Sequence, residues 1–187
     1  FLALVDGKPR MLSFKNMLEE FLRHRTSVIR RRTQHLLARA RNRKHTLEGL
    51  LVALANIDEV IKIVRNSSSQ AEAKQGLMQI EAPASLLQRA LGDEGFELLQ
   101  DERGKSDTYG LSPVQADAVL RLTLGQLVNL EQEKLGGEHG ELLSKIREFL
   151  RILSDETNIR ELIRADLLAI DSKYAEPRRT EISGEVA

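Results

Sequence analysis

Apolar residues recur every three or four positions through the first third of the chain, and this spacing predicts a long amphipathic α-helix. Residues 14–65 contain no proline and one glycine, Gly49. Two rows of residues, each with a spacing of seven positions, resemble the a and d positions of a coiled-coil heptad. The first row is Leu22, Ile29, Leu36, Arg43, Leu50, Ile57 and Val64, and the second is Thr33, Ala40, Leu47, Leu54 and Ile61. A helix of this length cannot surround one core, so another helix must cover its seam.

A second helical stripe begins near residue 124 and supplies that partner. Its apolar positions are Leu124, Leu127, Val128, Leu135, Leu142, Ile146, Phe149, Leu153, Ile159, Ile163, Leu167, Ile170 and Tyr174. Gly136, Gly137 and Gly140 weaken this helix by roughly 1 kcal/mol each relative to alanine. Ser154-Asp155 predicts a break, because both residues favour helix N-caps. We expect the segment to fold back antiparallel against the first helix.

Shorter elements flank these two helical segments. Asp6-Gly7 favours a hairpin turn between two strands within residues 1–12. Ser13 is a candidate N-cap for the long helix, and Ser69 for a short helix ending near Met78. Ser112-Pro113 starts another helix, since proline suits the first helical position. We interpret residues 79–111 as short helices, with the stretch DERGKSDTYG as a disordered loop.

The pattern as a whole predicts a mainly α protein: a long antiparallel coiled coil with a small helical tip domain and a short N-terminal β-hairpin. The expected divisions are the hairpin at 1–12, the outgoing helix at 13–65, the tip at 66–123, the returning helices at 124–175 and a polar tail at 176–187. The chain opens FLALVDGKPR, without methionine. We therefore expect a piece of a longer protein.

Charge is separated along the chain, although the 28 Lys and Arg residues balance the 28 Asp and Glu residues. Residues 21–47 contain no acidic residue but nine basic ones: Arg23, Arg25, Arg30, Arg31, Arg32, Arg39, Arg41, Arg43 and Lys44. Residues 129–187 hold 13 acidic and 9 basic residues. A basic block of this kind indicates either contact with a polyanion or salt bridges to an acidic neighbour. The sequence leaves both readings open.

Few residues suggest bond chemistry. The chain has no cysteine, which excludes disulfides and thiolate metal sites and fits the cytoplasm. No apolar run approaches the length of a membrane span. His24 and His35 are about 16 Å apart on a straight helix, too far to share a metal. His45, beside the seam, is interpreted as a hydrogen-bonded packing residue. We expect no catalytic residue, metal or cofactor in this chain.

Several segments, in order along the chain, resemble the A subunit of bacterial type IIA topoisomerases. They are VDGKPR, HRTSVIRRRT, LEGLLVALANIDEVIKIVRNS, EAKQGLM, YGLSPVQADAVLRLTLGQLVNLEQEK and PRRTEI. The closing RRTEI and the insertion before YGLS are more similar to the gyrase branch than to the topoisomerase IV branch. The stretch GGEHG at 136–140 departs from the family's more helix-favouring pattern.

The resemblance implies a mechanical role for the chain. In that family a coiled-coil arm carries a small domain at which two copies meet, and the transported DNA duplex leaves when they part. The catalytic tyrosine lies upstream of the matched region, and ATP and Mg²⁺ are bound by the partner B subunit. The resemblance and the apolar character of the segment together indicate candidates for the dimer contact: Tyr109, Leu111, Val114, Val119, Leu120, Leu122 and Leu124. The candidates for lining the DNA cavity are Arg23, Arg30, Arg31, Arg32 and Arg39.

Two rival classes remain open at this stage. One is a coiled-coil scaffold with no enzyme parent, and the other is a helical arm that binds RNA, as on some tRNA synthetases. Steeply salt-dependent binding of RNA would indicate the second class.

Overall fold

The computed structural model describes residues 1–123, 125–126, 131–177 and 179–181. Its helices are α1 (Phe14–Ala55), α2 (Ile57–Asn66), α3 (Gln70–Leu77), α4 (Ala84–Arg103), α5 (Pro113–Leu120), α6 (Gln132–Ser154) and α7 (Glu156–Tyr174). Its strands are β1 (Leu2–Val5), β2 (Lys8–Met11), β3 (Glu81–Pro83) and β4 (Thr108–Gly110). The mainly helical class is therefore as predicted. None of these helices is long and apolar enough to cross a membrane.

The N-terminal hairpin forms as the turn residues predict. β1 and β2 pair antiparallel, with Val5 opposite Lys8 at the turn. Asp6 and Gly7 have φ angles of 51° and 75°, the left-handed conformation that a two-residue hairpin turn requires. Glycine adopts this conformation without strain, and aspartate tolerates it better than most residues.

The outgoing helix is interrupted, which corrects the expectation of one helix over residues 13–65. It begins as predicted, because the Ser13 hydroxyl accepts a hydrogen bond from the Asn16 backbone N–H at 3.2 Å. Asn56 leaves the helical conformation, with φ −125° and ψ 37°. Its side-chain amide donates to the carbonyls of Val52 and Glu81 at 3.2 and 3.1 Å. A short polar side chain that bonds to the backbone competes with the helix in this way.

The buried face of α1 also differs from the predicted heptad frame. Ile29 and Leu50 from the first predicted row are buried, but Leu36 is half-buried and Arg43 is exposed. The buried positions run one residue later, at alternating spacings of four and three: Thr33, Leu37, Ala40, Lys44, Leu47 and Leu51. The second predicted row is correct at its first three positions. The shift places Lys44, a charged residue, on the buried face.

The chain folds as two compact units. The first combines Phe1–Gln34 with the described residues from Arg151 onward. Its core is an isoleucine cluster with Leu162 packed against it: Ile29, Ile152, Ile159 and Ile163.

Ion pairs in this first unit show how its two long helices run. Arg25 donates to Asp166 at 2.8 Å, and Arg30 lies 3.8 Å from Glu156. Higher residue numbers on α1 therefore contact lower residue numbers on α7. The two helices pack antiparallel, as predicted. The predicted break is also present, because the Asp155 carboxylate caps α7 by accepting from the Thr157 backbone N–H at 3.0 Å.

The second unit spans His35–Leu150 and contains α2 to α5. Its fully buried side chains include Leu47, Leu51, Leu77, Leu87 and Leu99. Two predicted caps are present. The Ser69 hydroxyl accepts from the Glu72 N–H, and Ser112 forms a capping box with Gln115 before Pro113.

Residues 79–111 contain more regular structure than the sequence indicates. The span α4 is two short helices that meet at a kink at Gly92, where φ is 72° and ψ is 169°, so the expectation of short helices is confirmed here. The predicted disordered loop DERGKSDTYG is wrong in part, because Thr108–Gly110 forms β4 and pairs with β3. Arg103 holds this strand by donating to the Gly110 carbonyl at 2.8 Å. Pairing with a strand almost 30 residues earlier leaves no local signal in the sequence.

The glycines of α6 divide into one that is needed for packing and two that are not. A Cβ at Gly136 would lie 2.5 Å from the Ala90 carbonyl oxygen, whereas a Cβ at Gly137 or Gly140 would meet nothing within 4 Å. The helix continues through all three glycines. The departure from a helix-favouring pattern at 136–140 therefore has a packing reason at Gly136.

We expect Gly136→Ala and Gly137→Ala to change stability in opposite directions. Alanine at Gly137 should raise the free energy of unfolding by up to about 1 kcal/mol through helix propensity. Alanine at Gly136 gains the same propensity but presses on backbone, and overpacking costs about 1–3 kcal/mol. Urea denaturation of both variants measures the difference. Equal effects would contradict the close approach of α6 to Ala90.

Candidate functional site

Tyr109, the first residue of the predicted dimer contact, is a packing residue of the second unit. Its side chain is only 3% exposed. The hydroxyl donates to the Gly104 carbonyl at 2.8 Å and accepts from the Ser106 N–H at 3.2 Å. The ring meets Phe96 edge to face, with centroids 6.1 Å apart. The ring and the hydroxyl of Tyr109 are therefore both engaged inside one chain.

The other candidates for the dimer contact differ in exposure. Leu111 and Val119 are buried within the unit. Val114 is 64% exposed. Leu120 and Leu122 are half-buried. Leu124 lies outside the described residues. The surface that this segment offers to a second copy is therefore that of Val114, Leu120 and Leu122, and the dimer contact itself stays a prediction.

The basic block divides into paired and unpaired residues. Arg23 bonds to Glu20 and lies 3.5 Å from Asp6, and Arg30 pairs loosely with Glu156. Arg31, Arg32 and Arg39 are exposed, and no ion pair joins them to any part of the chain that the structure describes. The salt-bridge reading therefore holds for Arg23 and Arg30, and the polyanion reading stays a prediction for the unpaired members. The unpaired arginines are the ones left to meet an external anion.

Arg43 shows how tightly a member of the block can be neutralised. Its guanidinium donates to both carboxylate oxygens of Glu138, at 2.6 and 2.8 Å. This hydrogen bond holds the pKa of Glu138 below its usual range, although partial burial acts in the opposite direction. Such a fork-to-fork pair on a partly exposed surface fixes geometry more than it adds stability.

A cluster of buried charged residues lies in the second unit, and sequence reasoning missed it. Lys44, Glu48 and His139 are 2%, 1% and 0% exposed. Lys44 Nζ lies 3.1 Å from Glu48 Oε1 and donates to Glu102 Oε2 at 2.8 Å. His139 Nε2 lies 3.3 Å from the same Glu48 Oε1. We call Lys44, Glu48 and His139 the buried charge cluster.

The electrostatics of this cluster centre on Glu48. Burial acts to raise the pKa of its carboxyl, but the hydrogen bond from His139 and the charge of Lys44 outweigh burial and leave the pKa lowered. Glu48 is therefore ionised inside the unit. Glu48 Oε2 and His139 Nδ1 are buried and have no hydrogen-bond partner in the structure. Because an ionised carboxylate can only accept, the ring nitrogen that faces Glu48, Nε2 of His139, carries the proton.

His45, which follows Lys44 in the same turn of α1, connects this helix to α5 as a hydrogen-bonded packing residue should. Its Nε2 lies 2.9 Å from the Ser112 hydroxyl. Gln115 donates to the His45 carbonyl at 2.7 Å. A signal for the buried charge cluster existed in the sequence: Lys44 and Glu48 are one helical turn apart, and the correct seam frame places Lys44 inside. Nothing local marked His139.

The candidate sites that the structure describes are two contact surfaces and the buried charge cluster. No group of three or more metal-ligating side chains occurs among residues 1–123, 125–126, 131–177 and 179–181. The features that remain are two units built on long helices, an apolar segment beside α5 and a set of unpaired arginines.

Comparison with known proteins gives the family. The family model for the A subunits of DNA gyrase and topoisomerase IV matches residues 1–168. The DNA gyrase A subunit of Pseudomonas aeruginosa is 45% identical over 186 residues, which is 96% of this chain. The one from Neisseria gonorrhoeae is 40% identical over 99% of the chain, and the one from Clostridium acetobutylicum is 40% identical over 97%. This chain belongs to the family of DNA gyrase and topoisomerase IV A subunits.

The match covers nearly all of this chain but little of its relatives. The chain spans about a fifth of their length: 20% of the Pseudomonas protein, 21% of the Neisseria protein and 18% of the Clostridium protein.

Proposed function

We propose that this chain forms the coiled-coil arm and the dimer exit gate of a DNA gyrase A subunit. The parent enzyme would be an ATP-dependent type IIA topoisomerase, and the transported duplex would leave through this gate during supercoiling. The observation that supports the gate most directly is the apolar surface of Val114, Leu120 and Leu122 beside α5. A two-fold contact needs such a self-complementary patch.

The proposal assigns no bond chemistry to this chain. Tyr109 is buried and doubly hydrogen-bonded, so its hydroxyl is not available to attack a phosphate. Tyr174 lies at the end of α7, where Lys173 covers its ring at 5.0 Å. ATP and Mg²⁺ belong to the B subunit of the proposed complex, which would be cytoplasmic. A covalent DNA adduct on either tyrosine, in a plasmid cleavage assay that includes the B subunit, would contradict this.

Double-stranded DNA is the proposed transient partner of the arginines on α1. Arg31, Arg32 and Arg39 have no intramolecular counterion among the described residues, whereas Arg23 and Arg30 do. Passage of a duplex requires weak attraction without sequence preference, because tight phosphate contacts would hold the strand. A few unpaired guanidinium groups beside neutralised ones meet that requirement.

An exposed apolar surface on the first unit supports the proposal that this chain is part of a larger protein. Phe1, Leu2, Leu4, Met11 and Phe14 are 66–78% exposed. Large apolar side chains exposed close together in the sequence are typical of an interface. In the proposed parent, other parts of the same polypeptide would cover it.

The equivalent region of topoisomerase IV is the alternative that the family model leaves open. The named relatives are gyrase A subunits, and this favours gyrase. A supercoiling assay on the complete A and B subunits separates the two, because gyrase introduces negative supercoils into relaxed plasmid and topoisomerase IV does not.

If the chain forms the proposed gate, it should dimerise through the surface of Val114, Leu120 and Leu122. Leu122→Arg should convert the dimer to a monomer, because a charge in the centre of a small apolar interface is not paired. Sedimentation equilibrium at tens of micromolar measures the change. The matched control is Leu168→Arg, since Leu168 is 57% exposed on α7 in the other unit. This control should remain dimeric. If the unsubstituted chain is monomeric at these concentrations, the proposal that it forms a dimer gate is wrong.

A further inference from the structure

The buried charge cluster joins two helices of the second unit at one point. Lys44 and Glu48 lie one turn apart on α1, and His139 reaches them from α6. Glu102 of α4 lies at the solvent-facing side of the cluster and accepts a hydrogen bond from Lys44 at 2.8 Å. His45, from the same turn of α1, has its Nδ1 3.7 Å from the second oxygen of Glu48.

Stability alone does not account for these residues. Removing charges from water is costly, and replacing a buried ion pair by apolar side chains of similar volume is often neutral or stabilising. The cost is increased here because Glu48 Oε2 and His139 Nδ1 lack hydrogen-bond partners. Apolar residues at positions 44 and 48 would continue the buried face of α1, and one at position 139 would extend the buried face of α6. The cluster therefore needs a different explanation.

The sequence around the cluster shows that the cluster distinguishes the observed register of α6 on α1 from registers shifted by one turn. If α6 slid by one turn against α1, residue 135, 136, 142 or 143 would take the place of His139. These residues are Leu135, Gly136, Leu142 and Leu143, and none has a side-chain donor for Glu48.

The same test holds from the side of α1. A slip in one direction would bring His139 to Leu51 or Val52, and a slip in the other would bring it to Lys44 or His45. In neither case does the ring find a carboxylate. The observed register is the one that pairs a donor with a buried anion.

We propose that the buried charge cluster fixes the register of α6 on α1, with Glu48 and His139 as the positioning pair and Lys44 as the counterion that keeps Glu48 charged. A slipped register leaves Glu48 ionised and without a partner on α6, which is far costlier than mismatched leucines. A single buried polar residue sets register in this way in other coiled coils. Gly136 acts in the same direction, because only a residue without a side chain fits against Ala90.

Spin-label distances between α1 and α6 test the proposal. The chain has no cysteine, so labels attach only at introduced sites. Asn42→Cys and Gly137→Cys are suitable, since Asn42 is exposed and a Cβ at Gly137 meets nothing within 4 Å. The doubly labelled chain should give one narrow distance distribution by double electron–electron resonance.

The decisive variant makes the cluster apolar: Lys44→Met, Glu48→Met and His139→Leu together. We expect a second distance population in this variant, because one helical turn displaces a label by about 5 Å along the axis. A single unshifted peak would overturn the proposal. If far-ultraviolet circular dichroism shows that the triple variant has lost its helices, His139→Leu alone decides the question by the same two outcomes.

The exposed pair Arg43–Glu138 provides the matched control, since it joins the same two helices. Arg43→Met with Glu138→Met should keep the single peak, because a solvated pair can be lost in either register at little cost. A second population in this control would show that any ion pair between these helices sets the register, and would overturn the assignment to the buried charge cluster.

Discussion

Replacement of Glu48 by alanine should lower the free energy of unfolding by about 3–5 kcal/mol, the cost of breaking a buried ion pair from one side. Among the described residues, the substitution leaves Glu102, whose side chain is half exposed, as the one partner of the buried ammonium group of Lys44. It also removes the acceptor of the His139 ring. Urea denaturation at a fixed protein concentration measures the loss.

The pH dependence of this loss provides a second readout. Because the pKa of Glu48 is lowered in the folded chain, its ionisation stabilises the fold above the usual value of 4.5. That contribution disappears as the pH falls through the lowered pKa. The difference in the free energy of unfolding between the unsubstituted chain and Glu48→Ala should therefore be constant near neutral pH and decrease below pH 4.5.

Glu138→Ala is the matched control for Glu48→Ala. Glu138 also pairs with a cation of α1, but its side chain is 41% exposed. Its loss should cost less than about 1 kcal/mol, as for other solvated pairs. Equal losses for Glu48→Ala and Glu138→Ala would show that burial of the cluster does not matter to stability.

Replacement of Ile159 by alanine should lower the free energy of unfolding by about 2–5 kcal/mol, the range for truncation of a buried isoleucine. Ile159 is 1% exposed and packs with Ile29, Ile152 and Ile163, a small core among the residues that the structure describes. A small core has few neighbours that can move into the space left behind. The expected loss is therefore towards the upper part of this range.

Hydrogen exchange locates the effect of this substitution within the chain. Amides of α7 and of the first part of α1 should lose protection, since both helices contribute to this isoleucine core. Leu168→Ala is the control, because Leu168 is on the same helix but 57% exposed, and surface truncations usually stay within about 0.5 kcal/mol. Similar losses in both variants would contradict the assignment of the core.

Elements whose signals are local could be predicted accurately. The hairpin follows from Asp6-Gly7, whose residues accept the positive φ angles of the turn. The caps at Ser69, Ser112 and Asp155 follow from side chains that bond to an N–H two or three residues later. Each of these signals lies within a few residues of its partner.

Elements that depend on distant partners were predicted poorly. The strand β4 exists only because Glu81–Pro83 pairs with it, and the end of α1 depends on an Asn56 side chain that bonds to Glu81. The dimer contact stays a prediction, but the burial of its candidate residues also depends on distant partners. Apolarity selected Tyr109, Leu111 and Val119 along with Val114, but three of these four are buried within their own unit.

The amino-acid sequence by itself determined the helical class, the family and the positions where most elements begin, because periodicity, capping and turn chemistry act over one or two helical turns. Only the tertiary structure decided which face of α1 is buried and which charges are neutralised. A heptad pattern allows neighbouring frames that differ by one residue, and the choice between them depends on the helix opposite. Here that choice placed Lys44 and Glu48 inside, where His139, 91 residues further along the chain, contacts Glu48.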